Sequence, residues 1–137
     1  VAMRATHWPK HLQPDALLAI IHTSHIGQTS LNSALSDIWN LSGALRDAGW
    51  SRDLSEQWLR RLDPLDLPCI PPENIVSVTG SADNVTFESE ANKQMDHWGV
   101  PAENRFSYRR GHFTVPLGML RDTEPLLRFR EVLNQYT

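Results

Sequence analysis

Cysteine is scarce in this chain: Cys69 is the one cysteine among 137 residues. A lone thiol excludes an internal disulfide and favours a reducing compartment, so we expect a cytoplasmic location. The apolar content of 40% is enough to form a core, and the length is typical of one domain.

Long hydrophobic runs and an excess of one charge are absent as well. The longest uninterrupted apolar run is Ala16–Ile21, which is far too short to span a bilayer. The net charge is −3, with both signs interspersed, so the basic footprint of a nucleic-acid-binding protein is missing. The sequence therefore predicts neither a membrane span nor a nucleic-acid partner.

The start of the chain has neither an initiator methionine nor the apolar segment of a signal peptide. Val1 comes first, and the residues up to Pro9 have the pattern of the last turns of a helix. Their apolar positions are Met3, Ala5 and Trp8. We therefore expect this chain to be the C-terminal part of a longer polypeptide.

The stretch from residue 75 to residue 112 organises the rest of the sequence. Ile75–Thr79 is a β-branched, uncharged run of the kind that forms a strand buried on both faces. A turn containing Asp83 follows it. Arg105–Tyr108 predicts a second short strand, and His112 comes shortly after that strand ends.

A helix is predicted between these strands, over residues 86–98. Its apolar residues recur at positions i, i+4, i+8 and i+11, which lie on one face of a helix. These residues are Phe87, Ala91, Met95 and Trp98. Thr86 is the expected N-cap, and Gly99 followed by Pro101 is the expected stop.

Parallel strands joined by a helix bring their C-terminal ends to the same edge of a sheet. Asp83 and His112 each follow such an end, so we expect them to meet there, at the edge where open α/β sheets hold their ligands. A carboxylate that accepts the Nδ1–H of an imidazole leaves Nε2 able to take a proton. The pair therefore predicts the acid and the base of a catalytic triad.

This pattern resembles the C-terminal part of an α/β-hydrolase. The matching features are a hydrophobic strand, the motif G-S-x-D ending at Asp83, a helix, a second strand and the motif G-H ending at His112. The resemblance covers roughly residues 16–137 and implies an α/β fold with a mostly parallel sheet and flanking helices. Three strands of that sheet would lie in this chain, at 17–21, 75–79 and 105–108, the first of them in the centre of the sheet.

The resemblance also implies a division of the chain. Residues 1–28 and 63–137 would belong to the catalytic core, and residues 29–62 would form a helical cap inserted into it. A stripe of leucine and isoleucine predicts one helix there, at positions 31, 35, 38, 41 and 45, ended by Gly49. The residues Asp53-Leu-Ser-Glu56 predict the start of a second helix that runs through Leu62.

Tryptophans and histidines supply the candidate substrate-binding residues. Trp39 and Trp58, together with Trp50, are candidates for an acyl-binding wall in the cap. The simpler interpretation is that they pack the cap onto the body. His22 follows the first strand at the carboxyl edge and is a third candidate for lining the site. Zinc held by His22 and His25 is the weaker interpretation, because no C-x-x-C or H-E-x-x-H motif is present. We expect no metal and no cofactor.

The C-terminal segment predicts a last helix that closes the sheet. Thr123 is the expected N-cap, with Pro125 in the first turn. Its expected buried face consists of Leu126, Phe129, Val132 and Leu133.

The nucleophile of the triad is not evident in this sequence. In the α/β-hydrolases it usually occupies a G-x-S-x-G elbow, and that motif does not occur here. We therefore expect the nucleophile upstream of residue 1, in the N-terminal part of the same hydrolase. Ser24 is an alternative, but His22 and Ile26 stand where the strained elbow needs small residues. An aspartate nucleophile, as in dehalogenases and epoxide hydrolases, remains open.

The sequence as a whole predicts a hydrolase that cleaves an ester or similar acyl bond in a small-molecule substrate. Its catalytic residues in this chain would be Asp83 and His112. The alternative is a non-catalytic relative, a scaffold or interaction module that has lost the chemistry.

Overall fold

The computed structural model describes residues 2–23, 26–63 and 66–135. Within these ranges the chain forms a parallel sheet of three strands, in the order β1-β2-β3. The strands are β1 (Leu17–Ile20), β2 (Ile75–Gly80) and β3 (Arg105–Tyr108). Helices flank the sheet, so the expected α/β class with a parallel sheet is confirmed. Ser24 and His25 lie outside the described residues.

The central strand of this sheet is β2, with all its residues buried. In the sheet that the structure describes, β1 pairs with β2 on one side and forms an edge. Ile20 is 38% exposed as a result. The predicted central position of β1 requires a further strand on its outer side and stays a prediction. The strand also ends one residue early, because Ile21 adopts a left-handed φ of 52° while its N–H still donates to Val78.

Helices and short 3-10 turns are the other regular elements of the described chain. Their bounds are α1 (Ala2–Ala5), α2 (Ile26–Asn32), α3 (Ala34–Ile38), α4 (Leu41–Asp47), α5 (Arg52–Leu59), α6 (Glu88–Trp98), α7 (Val115–Met119) and α8 (Glu124–Asn134). Short 3-10 turns occur at Lys10–Leu12, Arg60–Leu62, Pro72–Asn74, Ala102–Asn104 and His112–Thr114. None of the helices described has the length and apolar character needed to cross a membrane.

Helix α6 packs on the face of the sheet to which Ile75 points. Its predicted apolar stripe is confirmed for Ala91, Met95 and Trp98, which are all buried. Gly99 ends the helix in the left-handed conformation, with a φ of 70°. Thr86 is not the N-cap, however. Phe87 holds that position, and no side chain caps the helix.

The opposite face of the sheet packs against α7, where Val78, Val115 and Met119 form a second core cluster. The prediction for α8 is only partly correct, because Val132 is buried whereas Leu126 and Leu133 are exposed. Pro125, in the first turn of this helix, is buried as well.

The start of α8 also differs from the prediction. Thr123 occupies the N-cap position, but its side chain makes no capping hydrogen bond. The carboxylate of Asp122 accepts the N–H of Glu124 instead, at 3.1 Å. This carboxylate therefore satisfies an orphan donor of the first turn.

The segment predicted to form the cap is helical but more broken than expected. Helices α2, α3 and α4 replace the single helix that was predicted over positions 31–45, and Asn40 separates α3 from α4 with a left-handed φ of 46°. The next helix begins earlier than expected, because Ser51 is its N-cap and accepts the N–H of Leu54 at 3.1 Å. Asp53 therefore lies inside α5 rather than at its cap.

Two tertiary hydrogen bonds fix this helical segment, one between its two ends and one to the body. The Asp63 carboxylate accepts the N–H of Ile26 at 2.7 Å, which joins the end of the segment to its beginning. Near the middle, the N–H of Ala34 donates to the carbonyl of Asn84 at 3.0 Å. The helical segment therefore contacts the loop that carries Asp83.

Candidate catalytic site

The loops after β2 and β3 are held together by their backbones. Ser81 donates its N–H to the carbonyl of Tyr108 at 2.9 Å, and Ala82 donates to the carbonyl of Arg110 at 3.2 Å. Gly80 makes this approach possible, since a Cβ there would lie 2.5 Å from the Arg110 carbonyl oxygen. The parallel register of the sheet thus continues beyond the strands and fixes the loop of Asp83 against the loop of His112.

The Asp83 carboxylate is buried and fully engaged. Its Oδ1 accepts the N–H of Val85 at 2.7 Å and the N–H of Thr86 at 3.0 Å. Its Oδ2 accepts the Thr86 hydroxyl at 2.7 Å. This arrangement is an Asx turn with an additional hydroxyl donor, and it explains why Thr86 does not cap α6.

The imidazole of His112 completes this set of donors, because its Nδ1 lies 2.9 Å from Asp83 Oδ2. Burial acts to raise the pKa of Asp83, but the bonds from the Thr86 hydroxyl, the Val85 and Thr86 amides and His112 outweigh burial and lower it. The carboxylate is therefore ionised and can only accept hydrogen bonds. It follows that Nδ1 of His112 carries the proton and that the lone pair of the neutral ring is on Nε2.

The ring of His112 is held on two sides. Asp83 orients its inner edge, and the ring of Phe113 packs edge-on at a centroid distance of 5.0 Å. The Thr86 hydroxyl lies 3.4 Å from Nδ1, beside the main acceptor. The His112 side chain is still partly exposed, so the site remains accessible from solvent.

The charged side chains of Glu88 and Arg110 contact groups other than Asp83 and His112. Glu88, at the start of α6, accepts hydrogen bonds from the hydroxyls of Thr79 at 3.0 Å and of Ser107. The Arg110 side chain lies against Gly118. Asp83 is the carboxylate that the structure places on His112.

Thr86 is the site residue that the sequence analysis missed. The spacing D-x-x-T from Asp83 to Thr86 is typical of a local turn in which a carboxylate binds the backbone ahead of it. That signal was available, but a threonine just before a helical pattern equally predicts an N-cap.

His22, the predicted site-lining residue after β1, lies inside the protein. Its Nε2 makes a hydrogen bond of 2.8 Å with the hydroxyl of Ser77, in the middle of β2. Burial lowers the pKa of His22 from 6.5 to about 4, so the ring is neutral at physiological pH. The structure brings His22 to the sheet itself, and its role in substrate binding stays a prediction.

Among the described residues, no cluster of three histidine, cysteine, aspartate or glutamate side chains is arranged to hold a metal ion. The expectation that the chemistry needs no metal is not tested by this observation.

The candidate tryptophans of the helical segment have different positions. Trp39 is 71% exposed and lines neither of the two grooves of this segment that are described below. Trp50 and Trp58 pair with their ring centroids 6.3 Å apart. They line an open groove of about 490 Å³ between α4 and α5. We call this the tryptophan groove; its apolar lining comprises Leu41, Leu45, Trp50, Trp58 and Leu59.

Known protein families, curated proteins and solved structures give no match to this chain. Its function therefore rests on the geometry of the site.

Proposed function

We propose that this chain carries the acid and the base of a hydrolase of the α/β type, which cleaves an ester or similar acyl bond. The observation that carries the proposal is the contact of 2.9 Å between His112 Nδ1 and Asp83 Oδ2. This contact joins two loops at the carboxyl edge of a parallel sheet, the usual place of chemistry in open α/β folds.

The proposed mechanism assigns one task to each group. His112 Nε2 takes the proton of a nucleophilic hydroxyl as its oxygen attacks the acyl carbon, and it then gives that proton to the leaving alcohol. Water next attacks the acyl intermediate by the same route, releasing the acid and regenerating the hydroxyl. Asp83 stays ionised throughout, holds Nδ1–H and stabilises the imidazolium that forms in each step.

The nucleophile comes, in this proposal, from an N-terminal part of the same hydrolase outside residues 1–137. The absence of a G-x-S-x-G motif supports this assignment. The edge position of β1 supports it too, because its outer side offers unpaired backbone groups to a further strand. Ser24 remains the alternative nucleophile within the chain.

Apolar acyl groups are the substrates that the proposal favours. The hydrogen bond from Ala34 to Asn84 holds the helical segment beside the Asp83 loop, which is how a cap would sit. That segment carries the tryptophan groove, and Trp58, 48% exposed, is available to contact an acyl chain.

The test is to label the complete protein with a fluorophosphonate and to locate the label by mass spectrometry. We expect a labelled serine upstream of residue 1, and we expect H112A to abolish labelling while H97Q, on the exposed end of α6, does not. A label on Ser24 would instead make that residue the nucleophile. Absence of both labelling and ester hydrolysis in a folded protein would favour the non-catalytic scaffold.

A further inference from the structure

Cationic side chains cluster around the grooves of the helical segment. The tryptophan groove has Arg61 in its lining, and a second groove of about 270 Å³ between α2, α4 and α5 has Arg46 and Arg52. The two grooves adjoin, because Leu45, Trp50 and Ser55 line both. Among the lining residues that the structure describes there is no aspartate or glutamate, although the chain as a whole has a net charge of −3.

The apolar part of this region is an open groove. Ser51 caps α5 and sets where that helix begins. Trp58, in the last turn of α5, packs against Trp50, which precedes the helix. Leu41 and Leu45 of α4 form the facing wall. Large half-exposed aromatic rings next to leucines are costly in water unless a ligand or partner covers them.

The three arginines differ in the contacts that their charged groups make. Arg52 forms an ion pair with Glu56 and is partly neutralised. Arg61 lies over the Trp58 ring, 4.1 Å from its centroid, so its charge is held at the rim of the apolar surface. Arg46 forms no ion pair with any residue that the structure describes. A ligand that fits this region therefore needs an apolar body and a negative charge.

We propose that the two adjoining grooves bind a single-chain amphipathic anion of the fatty-carboxylate class. Its alkyl chain lies in the tryptophan groove, against Trp50 and Trp58, and its carboxylate pairs with Arg46 at the rim. The volume of the tryptophan groove falls in the range of about 300–1,000 Å³ that small-molecule sites occupy. The site deepens the proposed function, which places the acyl chain of the substrate against the same Trp58. Neither Asp83 nor His112 is among the described lining residues, so dodecanoate binding can be measured apart from catalysis.

The experiment titrates the protein with dodecanoate below its micelle concentration, followed by tryptophan fluorescence and calorimetry. We expect saturable binding that is about tenfold tighter than that of dodecyltrimethylammonium, which has the same chain and the opposite charge. The double variant R46Q/R61Q should lose this preference for the anion. R130Q, which changes an exposed arginine on α8, is the matched control and should keep it.

Further variants locate the alkyl chain. W58A should weaken dodecanoate about tenfold, whereas W39A, at an exposed tryptophan outside the grooves, should not. Equal affinity for the two detergents, or dodecanoate binding that R46Q/R61Q and W58A leave unchanged, would overturn the proposal. Association with anionic vesicles in the absence of dodecanoate binding would likewise overturn it in favour of a membrane surface. Because the comparison of the two detergents uses the unaltered protein, the proposal stays testable even if a variant fails to fold.

Retention of dodecanoate binding by H112A separates the two proposals. If that variant binds normally but the complete protein hydrolyses no ester, the groove proposal stands and the hydrolase proposal fails. If the protein hydrolyses esters but binds no dodecanoate, the roles of Asp83 and His112 stand, whereas the groove proposal and the placement of the acyl chain against Trp58 both fail.

Discussion

The Thr86 hydroxyl and the His112 imidazole share one acceptor, the Oδ2 atom of Asp83. Thr86 donates to it from 2.7 Å and His112 Nδ1 from 2.9 Å, although these two donors are 26 residues apart in the chain. The local turn and the tertiary contact therefore meet on a single oxygen.

Replacing Asp83 by asparagine should leave the fold nearly intact and lower kcat for ester hydrolysis about 10⁴-fold. The amide nitrogen cannot accept the Nδ1–H, so His112 loses the partner that fixes its tautomer. D122N is the matched control, because Asp122 also accepts hydrogen bonds, from Tyr108 and Glu124, but away from the site. Steady-state kinetics of the complete protein measure both variants. Near-normal turnover of D83N would remove Asp83 from the mechanism.

Thr86→Val should lower kcat about tenfold with little change in KM, because it removes one charge-assisted donor and leaves the size of the side chain unchanged. Thr86→Ser keeps the hydroxyl and should restore most of the rate. The ¹⁵N spectrum of the imidazole gives an independent measurement, since the Nδ1-protonated form should dominate in the serine variant and less so in the valine variant. Identical spectra and rates for the two variants would show that the hydroxyl has no positioning role.

Substitutions of two glycines test the contact between the Asp83 loop and the His112 loop. Gly80→Ala should destabilise the fold by about 1–3 kcal/mol and reduce activity, since its Cβ would overlap the Arg110 carbonyl and push the His112 loop away. Gly111→Ala should be tolerated, because its Cβ would meet the Ala82 carbonyl at an ordinary 3.5 Å. Urea unfolding and kcat measure both. Equal stability of the two variants would contradict this account of the loop contact.

The stability of the fold should depend on pH through His22. Burial lowers its pKa from 6.5 to about 4, so between these values the unfolded chain takes up a proton that the folded protein does not. Stability should therefore be undiminished by this group above pH 6.5 and fall as the pH drops towards 4, by up to about 3 kcal/mol. Asp83, whose pKa is lowered, adds its own loss only at more acidic pH.

Urea unfolding at several pH values between 7 and 4 measures this dependence. H22Q should flatten it whatever its effect on the stability at pH 7, and H11Q, at an exposed histidine, should not. A wild-type slope that persists in H22Q would assign the acid sensitivity to another group.

The amino-acid sequence by itself determined the strand at Ile75, the apolar face of α6 and its stop at Gly99, because these features depend on local periodicity and backbone preference. It also predicted that Asp83 and His112 meet. That prediction needed only the rule that parallel strands joined by a helix end at the same edge.

Tertiary structure decided the features that depend on which elements pack together. The half-exposure of β1 follows from its position at the edge of the sheet, and the short list of buried residues on α8 follows from how little of that helix touches the core. The sequence alone is compatible with two roles for Thr86, as the N-cap of α6 or as a donor to Asp83. In the structure the Thr86 hydroxyl donates to the Asp83 carboxylate. A buried ionised group is destabilised unless hydrogen bonds replace its hydration, whereas the N–H groups at the start of a helix can be hydrated.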